Sequence, residues 1–361
     1  MNITLATPLF PPEIGGPATD AVTLAEVLSA RGMNVRVCTF RDVRRFPKLV
    51  RHIVYFWQVA RMSYGTSAIV AFDTVSVGLP AALAAFVLRI PLIVRVPGDY
   101  AWEQGVQRFH VGDSIDTFQR TRYGWQVEAL RAVQRFVVRR AALVVVPSDY
   151  FKGVAAGWGV PAARLERIYL GMDLTLVAVA PVPGPAPKTL FSVGRFVPWK
   201  GFSLLLHLLV ENPEWNAVIA GDGPLRGVLE GQARALGVAE RVRFLGTLPR
   251  AEVLGWCAAA DAFVLNTSFE SFSFQVLEAM ASGSAVITTT AGSLPELIEN
   301  GVEGLLCAPG DTPAFHAALA SIEQEPALWQ ERRRAAKQKA QQFSLTASAN
   351  AFADALTKVC G

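Results

Sequence analysis

The stretch FESFSFQVLEAMASGSAVITTTAGSLPELI, residues 269–298, decides how the chain is read. A polar, loop-like run holds Glu270, and the helix-like run QVLEAMAS holds Glu278 eight positions later. The β-branched run AVITTT (285–290) predicts a buried strand, and Gly292 and Pro295 mark the loop after it. Upstream, AFVLNTS (262–268) predicts another strand, so Phe269 to Phe274 lie in the loop at its carboxyl end. Strand, loop, helix, strand is the unit from which covered parallel sheets are built. Ser271 or Ser273 is suited to cap the helix. Its free N–H groups favour an anion such as phosphate. Glu278 falls about one turn inside, on a face with Phe274 and Gln275. Carboxylate oxygens only accept hydrogen bonds, which suits sugar hydroxyls. Alone, the pair also reads as two glutamates that complement a helix dipole.

The same rhythm extends outward in both directions. NITLAT (2–7), NVRVCTF (34–40), SAIVAF (67–72), PLIVRV (91–96) and ALVVVPS (142–148) predict strands. PATDAVTLAEVLSARG (17–32) predicts a helix ended by Gly32. In the second half, LFSVGRF (190–196), NAVIAGDGP (216–224) and VRFLGTL (242–248) are further strands, separated by helical runs. Between the halves, APVPGPAPKTL (180–190) carries four prolines and a glycine, which extend neither a helix nor a central strand. The expectation is α/β: two doubly wound domains joined by a hinge at that linker and facing a central cleft, with ligands bound at the carboxyl ends of the strands.

Bulk properties agree with two packed domains. At 361 residues the chain exceeds one ordinary core, and 52% hydrophobic against 18% charged excludes a disordered chain. Cys38, Cys257, Cys307 and Cys360 are scattered, which argues against a disulfide framework or zinc site and for a reducing compartment. The N-terminus lacks the features of a signal peptide. The most apolar run, VSVGLPAALAAFVLRIPLIV (75–94), is broken by Pro80, Arg89 and Pro91, so it predicts a buried helix feeding a buried strand rather than a membrane span. Charge is uneven: residues 1–178 hold 20 Lys and Arg against 13 Asp and Glu, whereas the remainder is net acidic. A basic half points to an acidic partner, although a solvated surface gives the same count.

Other candidates cluster after strands. FSVGRFVPWKG (191–201) sets Arg195 and Lys200 around a turn, a pairing suited to a diphosphate. GDGPL (221–225) places Gly221 and Asp222 in a tight turn that permits close backbone approach. The run RDVRRFPKLVRHIVYFWQVARM (41–62) combines Arg44, Arg45, Lys48 and Arg51 with Ile53, Val54, Phe56, Trp57 and Val59, a pattern compatible with a helix lying on an anionic bilayer or with a packed helix carrying a charged edge.

Taken in order, RFVPWKG, AGDGPLRGVLEGQARALG, RVRFLGTL, SFESFSFQVLEAMASGSAVITT, AGSLPELIENGVEGLL and a following PGD resemble the C-terminal half of the family 4 glycosyltransferases. PPEIGGPA (11–18) and GVPAARLERIYLGMD (159–173) are similar to its N-terminal half. The resemblance implies a GT-B architecture of two Rossmann-like domains, 1–180 for the acceptor and 181–343 for a nucleotide-sugar donor, with a C-terminal helix (344–361) returning to the first. It implies that Glu270, the first Glu of an E-x7-E motif, contacts the donor sugar and reacting centre, and that Glu278 holds the ribose hydroxyls. Arg195 and Lys200 would neutralise the diphosphate, helped by amides near Phe272 and Ser273. Gly15 and Gly16 would approach the phosphates, and Gly221, Asp222, Leu248, Ser271 and Phe274 would complete the donor wall.

The chain departs from that pattern in places. Ser271 stands after the first Glu, where the family often has Gly. VRVPGDYAWE (94–103) lacks the His common there, which leaves Asp99 as the acceptor-side candidate or, equally, as the cap of the next helix. The implied reaction is transfer of a hexosyl unit from a UDP- or GDP-linked donor to a glycan or lipid-linked acceptor, with retention and without a metal ion or other cofactor. Nucleic acid is not expected as a partner, because the basic residues sit on no recognised module. The expected location is cytoplasmic, with an anionic membrane surface as a further partner. A nucleotide-sugar binder without transfer, or an epimerase, is the alternative.

Overall fold

The computed structural model describes the chain except residues 14, 15, 175–181, 183–185 and 187, together with the side chains of 16, 17, 48 and 49. The predicted linker lies largely outside the described residues. The described part forms two units, Met1–Gly171 with Leu345–Gly361, and Met172–Ser344.

In the first unit the strands are β1 (Asn2–Thr7), β2 (Asn34–Thr39), β3 (Ala68–Ala71), β4 (Leu92–Arg95), β5 (Leu143–Val146) and β6 (Leu165–Arg167). The helices are α1 (Gly16–Ala30), α2 (Lys48–Met62), α3 (Gly78–Leu88), α4 (Tyr100–Arg108), α5 (Ile115–Arg120), α6 (Trp125–Arg140) and α7 (Asp149–Ala156). All strands pair parallel in the order β2-β1-β3-β4-β5-β6. β3, β4 and β5 are buried throughout, as uninterrupted apolar runs under helices on both faces must be.

The second unit continues with β7 (Thr189–Val193), β8 (Asn216–Ala220), β9 (Val242–Gly246), β10 (Ala262–Val264), β11 (Val286–Thr289) and β12 (Leu305–Cys307). Its helices are α8 (Ser203–Glu211), α9 (Arg226–Ala235), α10 (Arg250–Ala259), α11 (Phe274–Ser282), α12 (Leu294–Leu297), α13 (Thr312–Gln324) and α14 (Pro326–Ala340). The sheet is again parallel, ordered β12-β11-β10-β7-β8-β9. Under it, Leu205, Leu206, Leu208 and Leu209 of α8 pack with Phe196, Ile219, Val264 and Phe315 in one core.

The last helix, α15 (Leu345–Cys360), joins the first unit. Phe352 and Leu356 are fully buried against Leu24, Leu28 and Ile3, and Arg31, just after α1, bonds Asp354 and Asn350. Val359 is partly buried in the same core.

Two strands were not read from the sequence, and two expectations need correction. The edge strands β6 and β12 have only three residues each, and a polar LER run carries no strand signal. The 41–62 run is not one helix: a short 3-10 turn spans Phe40–Val43 and α2 begins only after Pro47, because the residue before a proline is pushed out of the helical region. Finally, α3 and β4 occupy the 75–94 run, but α3 is buried on one side only, with Leu83, Phe86 and Val87 open to solvent. No described helix is long and apolar enough to cross a membrane.

Candidate active site

The strand order of the second sheet locates its functional end. From β7 the chain moves outward to β8 and β9, and from β10 it moves the opposite way to β11 and β12. β7 and β10 are neighbours, so the loops that leave their carboxyl ends diverge and open a crevice. Those two loops carry Lys200 and Glu270. Lys200 Nζ lies 2.5 Å from Glu270 Oε1, and both side chains are buried. Burial pushes the Glu270 carboxyl above the usual carboxylate range, against the opposing pull of Lys200.

Both loops are held from below. The Thr267 hydroxyl donates to the carbonyls of Trp199 (3.0 Å) and Phe269 (2.9 Å), and the Ser268 amide donates to Trp199 O at 2.8 Å. Asn266 donates to Gly201 O and accepts from the Gly310 amide. Thus the β10 loop is tied to the β7 loop by main-chain and side-chain bonds alike. The Ser293 amide donates to Glu270 O at 2.9 Å. Gly292 makes that contact possible: its φ is +59°, and a Cβ there would stand 2.2 Å from the Glu270 carbonyl oxygen. Gly221 has the same function beside β7, where a Cβ would meet Gly194 O at 1.9 Å.

α11 starts where the spacing predicts. Ser273 takes the extended conformation of an N-cap, and its hydroxyl accepts from Val276 N. Ser271 precedes it in the loop. The Phe272 ring is buried against Phe274 and Phe343, so it anchors the loop while the amides around it remain at the helix start. Glu278 is buried one turn inside α11 and pairs with Arg250 Nε of α10 at 2.9 Å. Burial raises its carboxyl as well, and Arg250 opposes the rise. Arg250 carried no sequence signal, because its partner is 28 positions away and only the packing of α10 on α11 brings them together.

The other candidates are distributed unevenly. Arg195 is exposed on the Lys200 loop, and Leu248 is half-buried just ahead of α10. Asp222 is bonded to the Gly223 amide and its main-chain carbonyl accepts from Phe196 N. Gly16 opens α1, whereas Gly15 lies outside the described residues. Asp99, the acceptor-side candidate that also reads as a helix cap, lies in the first unit. It is the fully buried N-cap of α4, with Oδ1 accepting from Trp102 N and Gln134 and Oδ2 accepting from Gln119 at 2.7 Å. With both oxygens occupied inside the protein, the capping reading accounts for it.

The matches to known proteins fall on both units. The family model for glycosyl transferases group 1 matches residues 181–343, and the model for the glycosyl transferase 4-like domain matches residues 15–171. Among curated relatives, a glycogen synthase of Mycobacterium tuberculosis is 34% identical over 228 residues, covering 60% of this chain and 55% of its own length. The lipopolysaccharide core biosynthesis mannosyltransferase LpsB of Rhizobium meliloti is 30% identical over 225 residues, covering 58% of this chain and 61% of its own. The chain thus spans a little over half the length of these relatives. Among solved structures, Anabaena Alr3699/HepE in complex with UDP-glucose superposes with a TM-score of 0.78 at 21% identity, covering 99% of this chain and all of that one. WaaG, a glycosyltransferase involved in lipopolysaccharide biosynthesis, gives 0.71 at 18%, covering 98% and 99%. With both units matched and the GT-B fold shared, the chain belongs to the glycosyltransferases of the family 4-like, group 1 type.

Proposed function

We propose that the chain is a retaining hexosyltransferase, acting without a metal ion on a UDP- or GDP-linked donor and a hydroxyl of a glycan or lipid-linked saccharide. The observation that carries this reading is the buried Lys200–Glu270 pair at the diverging loops of β7 and β10. A cation desolvated at a strand's carboxyl end is suited to a leaving diphosphate, whose charge grows as the bond to the sugar breaks. Arg195, on the same loop, is the second cation. Amides at the start of α11 add to the positive field. Glu270 orients the donor sugar, and Glu278, set by Arg250, receives the ribose hydroxyls.

In the reaction the acceptor oxygen attacks the anomeric carbon from the leaving-group face. The bond from that carbon to the β-phosphate oxygen breaks, and the acceptor proton passes to a phosphate oxygen. Products are the new glycoside and the nucleoside diphosphate. Asp99 takes no part in this scheme. Relatives named for mannosyl transfer and glycogen synthesis support a hexosyl donor. The neighbour named with UDP-glucose makes UDP the first nucleotide to try. We place the enzyme in the cytoplasm, in contact with the inner face of the membrane.

The test is thermal stabilisation by UDP, GDP and ADP, then turnover with the matching sugar donors. A nucleotide at a hundred times its Kd stabilises by about 2.7 kcal/mol. Loss of that stabilisation in Lys200→Ala supports the clamp. Absence of any response to all three nucleotides in the native chain refutes the reading. Release of free sugar from the donor distinguishes a transferase from a protein that only binds.

A further inference from the structure

The first unit carries an apolar face that its own fold leaves uncovered. Ile53 and Trp57 on α2 are 59% and 67% exposed, and Phe86 and Val87 on α3 are 65% and 62% exposed. α2 and α3 pack side by side, so these residues form one surface. Between the helices runs a groove of about 530 Å³, lined by Ile53, Phe56, Leu79, Leu83, Phe86 and Val87, with His52 the only ionisable group in its wall. Burial and Arg51 hold the His52 imidazole below its usual range, so the groove is uncharged at neutral pH.

A second hollow of about 780 Å³ adjoins the groove and shares Phe86 and Val87 with it. Its wall carries three cations, Arg89, Arg140 and Arg164, and no carboxylate. Arg140 lies over the rings of Phe86 (4.9 Å) and Phe136 (4.8 Å), which fixes its guanidinium at the border between apolar groove and cationic hollow. Among the described residues, none of the three arginines forms an ion pair. Arg89 closes α3 at φ 55°, a left-handed position where helices commonly end on glycine.

From this juxtaposition we infer that the α2–α3 face is a docking surface for an anionic phospholipid bilayer. Acyl chains take the groove, Trp57 sits at the headgroup level, and lipid phosphates meet Arg89, Arg140 and Arg164. The inference rests on the membrane contact proposed above and relocates it. Of the basic residues in the 41–51 run, Arg44 pairs with Glu13, Arg45 lies over the Phe46 ring and Arg51 lies over the Phe40 ring. Charge complementarity selects the occupant. A second copy using the same patch would bring three arginines against three, within a half that is already net positive. An anionic surface reverses that repulsion, and apolar burial adds to it.

The test is co-sedimentation of the full chain with vesicles of phosphatidylcholine alone or with phosphatidylglycerol. Binding is expected only to the latter and weakened by salt. Arg140→Gln and Arg164→Gln each reduce partitioning about fivefold, the equivalent of about 1 kcal/mol per basic residue near the surface. Phe86→Ser with Val87→Ser abolishes it. Brominated lipid quenches tryptophan emission in the native chain, and Trp57→Phe removes that quenching. Every variant is checked for native stability and for the response to UDP, which is read from the other unit. Absence of partitioning, or partitioning indifferent to these substitutions, overturns the proposal. A fall in oligomeric mass in Phe86→Ser with Val87→Ser, with vesicle binding unchanged, assigns the face to a second copy and also overturns it. Loss of UDP binding in the native chain would sink the transferase reading while leaving the vesicle result to stand separately.

Discussion

Replacing Lys200 by Met tests the buried pair most directly. The methionine fills much of the space but removes the cation 2.5 Å from Glu270, which leaves a buried carboxyl without its partner. Breaking one side of a buried pair costs about 3–5 kcal/mol. Glu270 limits that cost by taking a proton, since burial already holds its carboxyl above the usual range and loss of Lys200 raises it further. The sign follows from linkage: a carboxyl raised on folding favours the fold at low pH and loses that contribution as pH rises through its folded value. Lys200→Met is therefore expected to lower stability more at pH 8 than at pH 5. Adding Glu270→Gln, which needs no counter-ion, should restore most of the loss and remove the added pH dependence. At about 2–4 °C per kcal/mol for a unit of this size, the single variant shifts Tm by at least about 6 °C at pH 8. Glu270→Gln alone has an opposite effect on ligand: it frees Lys200, so UDP binds up to about tenfold tighter, about 1.4 kcal/mol, while transfer slows. The assay is thermal and urea denaturation of the four members of the cycle at both pH values, with UDP titration of each. Additive effects, or a Lys200→Met penalty that does not change with pH, refute the reasoning.

Other expectations follow from neighbouring geometry. Gly292→Ala places a Cβ against Glu270 O in a left-handed conformation, and should cost about 2 kcal/mol or more in urea denaturation. Arg250→Ala leaves Glu278 without its pair; with Arg250 partly exposed, about 1–2 kcal/mol is expected, read as about a tenfold weaker UDP affinity. Asp99→Ala removes the α4 cap and strands Gln119 and Gln134, so stability falls by about 1–2 kcal/mol. Turnover per folded molecule should stay within about twofold, and a hundredfold fall in kcat with the fold intact would return Asp99 to the catalytic scheme.

Much of the architecture was legible because parallel strands are buried on both faces and must be written as short apolar runs. β1, β3, β4, β5, β8 and β11 all stand within runs read from sequence. The polar three-residue edge strand β6 and the broken helix at Pro47 were not, since edges take few contacts and one proline outweighs a long amphipathic pattern. Within the candidate site, the loop, the Ser273 cap and the glutamate on α11 follow from local spacing alone.

The sequence by itself determined the rhythm of strands and helices, the turn glycines and the residue types suited to phosphate and sugar, because these depend on neighbours a few positions apart. Only the tertiary structure decided which of those residues meet. Lys200 reaches Glu270 across 70 positions, and Arg250 reaches Glu278 across 28. It also decided that Asp99 is enclosed by Gln119 and Gln134, and that one side of α3 faces solvent beside three arginines. Such pairings are made by the order in which strands stack and helices pack, and spacing along the chain does not encode that order.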